Sequence, residues 1–278
     1  MALYFTSINS GSNGNCYYVG NSNEAVLVDV GISCKEVEKR LARLGLSMAK
    51  VRAIFISHEH SDHIKGLTVL SKKYNLPVYI TTNTLKSSRL LLNEANVFTF
   101  NHLDNIQIGN LKISAFSKFH DAADPYSFTI ECNNIRVGVF TDIGSVCDRL
   151  ISQFKKCHAA FLEANYDTEM LQNGNYPYYL KRRITSGKGH LSNNEALALF
   201  QNHKPDYMSH LLLSHLSNDN NDPVLVETLF KAVAGKTFVS VASRYQETPV
   251  HFINSDENII EEYSFNPLAH QPAQLNLF

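Results

Sequence analysis

Residues 56–63, Ile56-Ser57-His58-Glu59-His60-Ser61-Asp62-His63, place three imidazoles and an aspartate within six positions. They follow the apolar run Ala53-Ile54-Phe55-Ile56, which reads as a buried strand delivering a polar loop to one rim of a sheet. Neutral imidazole and carboxylate are the donors that suit a divalent transition metal. Four such donors on one short loop diverge too much to serve a single tetrahedral ion. His58 and His60 converge on one position, whereas Asp62 and His63 point to a second. A lone His-x-His is weak evidence, because surface histidines also cluster by chance; His-x-His-x-Asp-His directly after a strand is far more specific.

With 278 residues, 44% of them apolar, the chain can bury a sizeable core. A net charge of −1 gives it no global positive field, so any polyanion must be met by a local patch. Residues 1–6 show no signal-peptide pattern, and no apolar run is long enough to span a bilayer, so no membrane association is expected. Cys16, Cys34, Cys132, Cys147 and Cys157 are scattered without Cys-x-x-Cys spacing, which suits reduced thiols and makes the cytoplasm the expected compartment.

Strand and helix signals alternate at first. Apolar runs at 3–8 and 16–19 flank Asn9-Ser10-Gly11-Ser12-Asn13-Gly14-Asn15, either a plain turn or a set of backbone N–H groups facing an anion. A turn at 20–23 leads into a strand at 25–28 that ends at Asp29. Ser33-Cys34-Lys35-Glu36 has capping-box spacing for a helix ending at Gly45. Helices are expected at 67–74 and 84–94, with a strand at 78–80. β-rich runs follow at 97–100, 111–116, 126–131 and 135–140. Helix signals at 145–154, 192–201 and 223–233 then alternate with strand signals at 159–162, 211–213 and 237–241, and further strands are expected at 250–253 and 259–263. The pattern predicts one α/β domain over residues 1–265, two mixed sheets packed face to face with helices outside. Residues 266–278, with two prolines and no apolar periodicity, are expected to form an extended tail.

Two ions need more donors than the first motif offers. His120, Asp142 and His215 each sit just after an apolar run, although a single strand-end histidine is more often a hydrogen-bonded structural residue. Asp142 is the natural bridge, having two carboxylate oxygens. Asp29 is expected to hold a ligating loop or imidazole. From Asp29 to His215 this set resembles the metallo-β-lactamase superfamily. The resemblance implies a four-layer αββα sandwich, with His58, His60 and His120 on one ion, Asp62, His63 and His215 on the other, and Asp142 between them. His60 and Asp142 set the chain apart from the flavodiiron branch and from secreted β-lactamases, and the interval between Asp142 and His215 is too short for a β-CASP insertion.

The substrate is read elsewhere. Lys181-Arg182-Arg183-Ile184-Thr185-Ser186-Gly187-Lys188-Gly189-His190 is expected to be a basic loop, either merely solvated or a phosphate site together with the helix start at Ser192. Residues 10–15, 120–122, 163–167, 189–193 and 213–223 resemble the bacterial YycJ/WalJ-type exonucleases, although relatives often carry His at Tyr166. That resemblance implies 5′-to-3′ exonuclease activity on DNA with manganese or zinc, iron also suiting the donors. Asp62 and His190 are the candidate catalytic residues, His190 meeting the phosphate or the leaving group. Ser12, Asn13, Asn15, Lys181, Arg182 and Lys188 are the candidate substrate contacts. Gln274, Leu275, Leu277 and Phe278 form a Gln-Leu-x-Leu-Phe motif that resembles segments docking on the bacterial sliding clamp; a C-terminus folded back into a surface groove is the simpler alternative. The competing functions are an RNA-processing, small-phosphodiester or thioester hydrolase of the same superfamily, or a non-catalytic clamp-binding module.

Overall fold

The structure, a computed structural model, describes residues 2–254. The first sheet holds β1 (Leu3–Asn9), β2 (Cys16–Gly20), β3 (Ala25–Val28), β4 (Val51–Phe55), β5 (Val78–Tyr79) and β6 (Val97–Phe98). The second holds β7 (Asn105–Ile108), β8 (Leu111–Ser117), β9 (Tyr126–Cys132), β10 (Ile135–Phe140), β11 (Ala159–Glu163), β12 (His210–Ser214) and β13 (Phe238–Val241). β14 (His251–Ile253) returns to the first sheet beside β1, giving the orders β14-β1-β2-β3-β4-β5-β6 and β13-β12-β11-β10-β9-β8-β7.

Strands that are apolar on both faces need cover on both sides, and alternation assigns the cover. In β3, Val26 and Val28 join the cluster between the sheets, with Phe55, Phe128 and Phe161, while Ala25 and Leu27 face the other way. In β12, Leu212 faces inward and Leu211 and Leu213 outward. The outer face of the first sheet is covered by α1 (Cys34–Arg43), through Val37 and Leu41, and, after the short α2 (Ser61–Ile64), by α3 (Leu67–Tyr74), through Leu67 and Leu70. α4 (Thr82–Ser88) follows β5. The second sheet is covered by α5 (Asp148–Phe154), α8 (Asn193–His203) and α9 (Pro223–Lys231), through Phe154, Phe200 and Phe230. Between α5 and α8, α6 (Thr168–Asn173) and α7 (Tyr178–Ile184) close a small cluster of their own on Tyr166. The result is the expected αββα sandwich, and residues 142–215 hold no inserted domain.

The differences from expectation are local. The helix expected at 84–94 runs Thr82–Ser88 and stops where Arg89 turns left-handed, at φ 55°. β7 escapes notice because it is a short edge strand with only Ile106 and Ile108 alternating. Residues 181–184 of the segment expected as a basic loop are the end of helix α7, whose apolar signal, Leu180 and Ile184 one turn apart, is too brief to show a stripe, while residues 185–190 are the expected loop. Ser33 caps α1 by accepting from the Glu36 N–H, but the Glu36 carboxylate turns to Arg40 and Lys39 instead of completing the box. At α8 the box is complete between Ser192 and Glu195. The expected strand at 259–263 and the tail at 266–278 lie outside the described residues.

The core also carries a pH dependence. His210 and His251 lie 5.2 Å apart, both packed on Phe5 and Phe238. Burial pushes each imidazole down to about 4, with the neighbouring His251 adding to the effect on His210. An unfolded chain takes up these protons near pH 6.5, whereas the folded protein does so only near pH 4, so their full contribution to stability is present above pH 6.5 and is lost as pH falls through 4. Each histidine makes folding up to about 3 kcal/mol less favourable over that window. Urea titrations of wild type and His251→Phe should show the wild-type midpoint falling more steeply between pH 6.5 and 4. Parallel slopes would place the acid sensitivity elsewhere.

Candidate metal centre

The runs β3–β4–β5–β6 and β10–β11–β12–β13 are parallel, so their C-terminal ends gather on one rim, where ligands of open α/β sheets collect. Asp29 follows β3, the histidine loop follows β4, and His120 follows β8. Asp142 follows β10, Glu163 ends β11 and His215 follows β12. Asp29, Asp142 and His215 all adopt left-handed backbone, at φ 61°, 54° and 56°. This is an uncommon state outside glycine, and it turns each residue sharply out of its strand. Gly31 supports the loop from below: a Cβ there would stand 1.7 Å from the Asp62 carbonyl oxygen.

Hydrogen bonds fix how the imidazoles face. The His63 Nδ1 donates to Asp29 Oδ2 at 2.8 Å. The Ser57 hydroxyl donates to the same carboxylate at 2.8 Å and so accepts from His58 Nδ1 at 2.9 Å. His120 Nδ1 donates to the Gly189 carbonyl at 2.9 Å, and His215 Nδ1 donates to Glu163 Oε1 at 2.9 Å. Each of these four rings therefore turns its Nε2 towards the centre. His58 Nε2 and His120 Nε2 lie 3.0 and 3.3 Å from His60 Nδ1, near the roughly 3.4 Å that separates two ligands on a tetrahedral ion. Asp29 thus does what its strand-end position predicts.

Among the overlapping donor groups are His58–His60–His120 and Asp62–His63–His215, and Asp142 joins them, clustering with His58 and His63 on one side and with Glu163, His190 and His215 on the other. Its Oδ2 is 3.2 Å from His63 Nε2, and its Oδ1 is 3.5 Å from His215 Nδ1 and 3.8 Å from His120 Nε2, so the carboxylate reaches both groups. Asp62 Oδ2 stands 3.6 Å from both His63 Nε2 and His215 Nε2. Asp142 Oδ2 and His215 Nε2 are buried without a hydrogen-bond partner. Inward lone pairs, orphaned buried donor atoms and a shared carboxylate are what a pair of divalent cations requires. The electrostatics agree. Burial pulls His63 and His215 down, yet Asp142 with Asp29, Asp62 and Glu163 outweighs it, holding His63 well above its ordinary value and His215 at about 10. His58, where burial dominates, is held well below its ordinary value. The pocket's carboxylates thus demand positive charge.

A cleft of about 390 Å³ opens over this floor, lined by His60, Asp62, Asp142, His190 and His215, with Ser12 and Arg183 on its walls. His190 Nδ1 donates to Glu163 Oε1 at 2.7 Å, which leaves Nε2 for the cleft. Arg183 pairs with Asp121 at 2.5 Å. The expected substrate contacts scatter. Ser12 reaches the cleft and accepts from Arg244 Nη2 at 2.8 Å, while Asn13 is exposed and donates to the Arg244 carbonyl. Asn15 is fully buried and ties Gly11 to the Asp62 loop, so it is a support rather than a contact surface. Lys181 and Arg182 line a neighbouring cleft, and Lys188 is exposed outside both. The start of α8 is occupied by its own capping box, with the Glu195 carboxylate on the Ser192 N–H, and so offers no anion site. Tyr166 is buried against Leu171 and Ile184, in a packing role.

Sequence reasoning assigned no role to three residues. Glu163, fully buried, accepts from both His190 and His215 and from the Ile143 N–H. Its signal was the one used for Asp142, a carboxylate closing an apolar run. Lys118 is buried, with its ammonium on the Thr141 carbonyl at 2.6 Å, bracing the strand end before Asp142. Arg244 reaches the rim only through the fold, donating to the Ser12 hydroxyl 232 positions away.

A family model described as a beta-lactamase superfamily domain matches residues 24–215. The chain is 39% identical to Exodeoxyribonuclease YycJ of Bacillus anthracis over 224 residues, 80% of this chain and 85% of that protein. It is 32% identical to Exodeoxyribonuclease WalJ of Streptococcus pneumoniae over 222 residues, covering 78% and 82%. Among solved structures, the metallo-beta-lactamase fold protein YhfI from Bacillus subtilis aligns with a TM-score of 0.71 at 20% identity, covering 90% of this chain and 99% of that one. With its two donor groups at the sheet rims, the chain belongs to the metallo-β-lactamase superfamily, to its YycJ/WalJ family, and is a metal-dependent hydrolase.

Proposed function

We propose that the chain is a dinuclear-metal phosphodiesterase, a 5′-to-3′ DNA exonuclease working in cytoplasmic repair or replication. The observation that carries this is the Asp142 carboxylate standing between the two donor groups, within reach of His63 and His120, on the floor of a single cleft whose walls bear His190 and Arg183. The names of the YycJ and WalJ relatives support DNA as the substrate. His58, His60 and His120 would hold one ion, and Asp62, His63 and His215 the other, with Asp142 shared; manganese and zinc fit the donors, as does iron. Bound there, the ions would supply Lewis acidity to a phosphate and activate water for attack on it.

The chain's own groups do the rest. Asp62, partly exposed at the cleft floor, accepts a hydrogen bond from the attacking water and orients it. His190, locked by Glu163, presents Nε2 as a donor to a phosphate oxygen or to the leaving oxygen. Arg183 offsets the phosphate charge while Asp121 keeps its guanidinium aimed. The Ser12 hydroxyl stands at the rim. Gln274, Leu275, Leu277 and Phe278, outside the described residues, supply the apolar anchors and amide for docking on a sliding clamp, which would raise local DNA concentration for a chain without a basic field.

End-labelled DNA and RNA, single-stranded and duplex, incubated with manganese or zinc and with a chelator, test this directly. DNA should shorten from its 5′ end and survive intact with chelator. Cleavage of RNA but not DNA, or recession of the 3′ end, rejects the exonuclease assignment. In the same assay, deleting residues 274–278 should remove stimulation by a clamp and spare activity on free oligonucleotides.

A further inference from the structure

A second cleft, of about 410 Å³, lies beside the first, and Tyr176 lines both. Its wall is α7, where Tyr178, Lys181 and Arg182 face it. Tyr178 is 74% exposed, so its ring contributes little to any core. The Arg182 guanidinium sits one helical turn on, 5.9 Å from the centre of that ring. The Lys181 ammonium reaches the Gln172 carbonyl at 2.7 Å. Whereas Arg183 is paired with Asp121, neither Lys181 nor Arg182 forms an ion pair with a carboxylate among the described residues. A largely exposed aromatic ring, with one cation over it and a second beside it, neither paired with a carboxylate, next to the first cleft, is the composition of a single-strand path: bases stack on the ring and phosphates meet the charges.

Resting on the proposed phosphodiesterase function, we infer that this cleft carries single-stranded DNA away from the metal centre, with one base stacked on Tyr178 and the flanking phosphates on Arg182 and Lys181. Tyr176, its hydroxyl held by Asp219 at 2.9 Å, marks the passage between the two clefts. This path gives Lys181 and Arg182 a substrate role at a distance from the reacting phosphate, and it gives a chain of net charge −1 the local patch it needs.

Two readouts separate this path from the reaction. Affinity for a fluorescent 12-nucleotide DNA strand, measured by anisotropy in the presence of chelator, reads the path. Turnover of bis(p-nitrophenyl) phosphate with manganese, a diester too small to leave the first cleft, reads the metal centre. Tyr178→Ala should weaken strand binding about ten-fold, the size of one stacked base, and leave small-diester turnover unchanged. Tyr178→Phe, which keeps the face and loses only the hydroxyl, should bind like wild type. Replacing Lys181 and Arg182 together by methionine should flatten the log–log salt dependence by roughly 1.4, as expected for two fewer phosphate contacts on a single strand. Strand affinity unchanged in Tyr178→Ala overturns the inference, as does Tyr178→Phe binding as weakly as Tyr178→Ala. Equal losses in both readouts overturn it too, since Tyr178 would then act through the metal centre. Failure of the wild type to turn over any phosphodiester sinks the proposed function instead and leaves the affinity result to be judged alone.

Discussion

Asp142→Ala is expected to lower phosphodiesterase kcat/KM by on the order of 10³ or more, even with manganese in excess. The effect is large because a single carboxylate would serve both donor groups: Oδ2 stands 3.2 Å from His63 Nε2, and Oδ1 stands 3.8 Å from His120 Nε2. No neighbour can replace it. Asp29 is committed to Ser57 and His63, and Glu163 to His190, His215 and Ile143. Losing Asp142 also leaves the two sites without a shared anion, so fewer than two equivalents of metal should remain after desalting, as read by elemental analysis. Asp142→Asn, nearly identical in shape, should keep the thermal melting behaviour of the fold while losing most of the activity, which separates ligation from packing. A variant at position 142 that retained wild-type turnover would rule out the two-metal account.

How much of this centre could be read from sequence depended on whether chemistry and position coincided. His58, His60, Asp62 and His63 are contiguous, so their meaning survives without a fold. His120, Asp142 and His215 are legible as candidates because each closes an apolar run, and the parallel strands bring such positions to one rim. Glu163 obeys the same rule, but its role is hidden in the sequence because its partners lie 27 and 52 residues away. Arg183 lines the cleft and Arg244 meets Ser12 at its wall only because the fold brings distant segments together. The two-sheet layering was legible in the alternation of strand and helix signals, and the structure gives its physical reason: Val26 and Leu27, one residue apart, seek different covers. α7 was hidden by its composition: consecutive cations followed by glycines look like a loop, and one Leu180–Ile184 pair cannot outweigh them. On the helix, Lys181 and Arg182 turn to one cleft while Arg183 turns to the other, a division no loop reading supplies.

Glu163→Gln should separate the two jobs of its carboxylate. Oε1 receives N–H groups from His190 and His215, and Oε2 receives the Ile143 N–H. An amide has one acceptor oxygen and one NH2 donor, so either orientation sets the NH2 against an N–H in a buried site. One expected consequence is weaker metal binding at the position held by His215, about 10–100-fold, because that imidazole loses the partner that fixes its Nδ1–H and raises its basicity. This part of the loss should be recovered by raising manganese. The other consequence falls on His190, whose Nε2 is no longer aimed, and it should persist at saturating metal as a kcat deficit of roughly 10²-fold, the lower end of what a positioned proton donor contributes. His190→Ala provides the comparison: it should show the kcat deficit with nearly unchanged metal affinity. If Glu163→Gln at saturating metal is as fast as wild type while His190→Ala is slow, Glu163 serves metal binding only. If both are fast, His190 takes no part in the reaction, and the cleft's other cation, Arg183, becomes the group that must meet the phosphate.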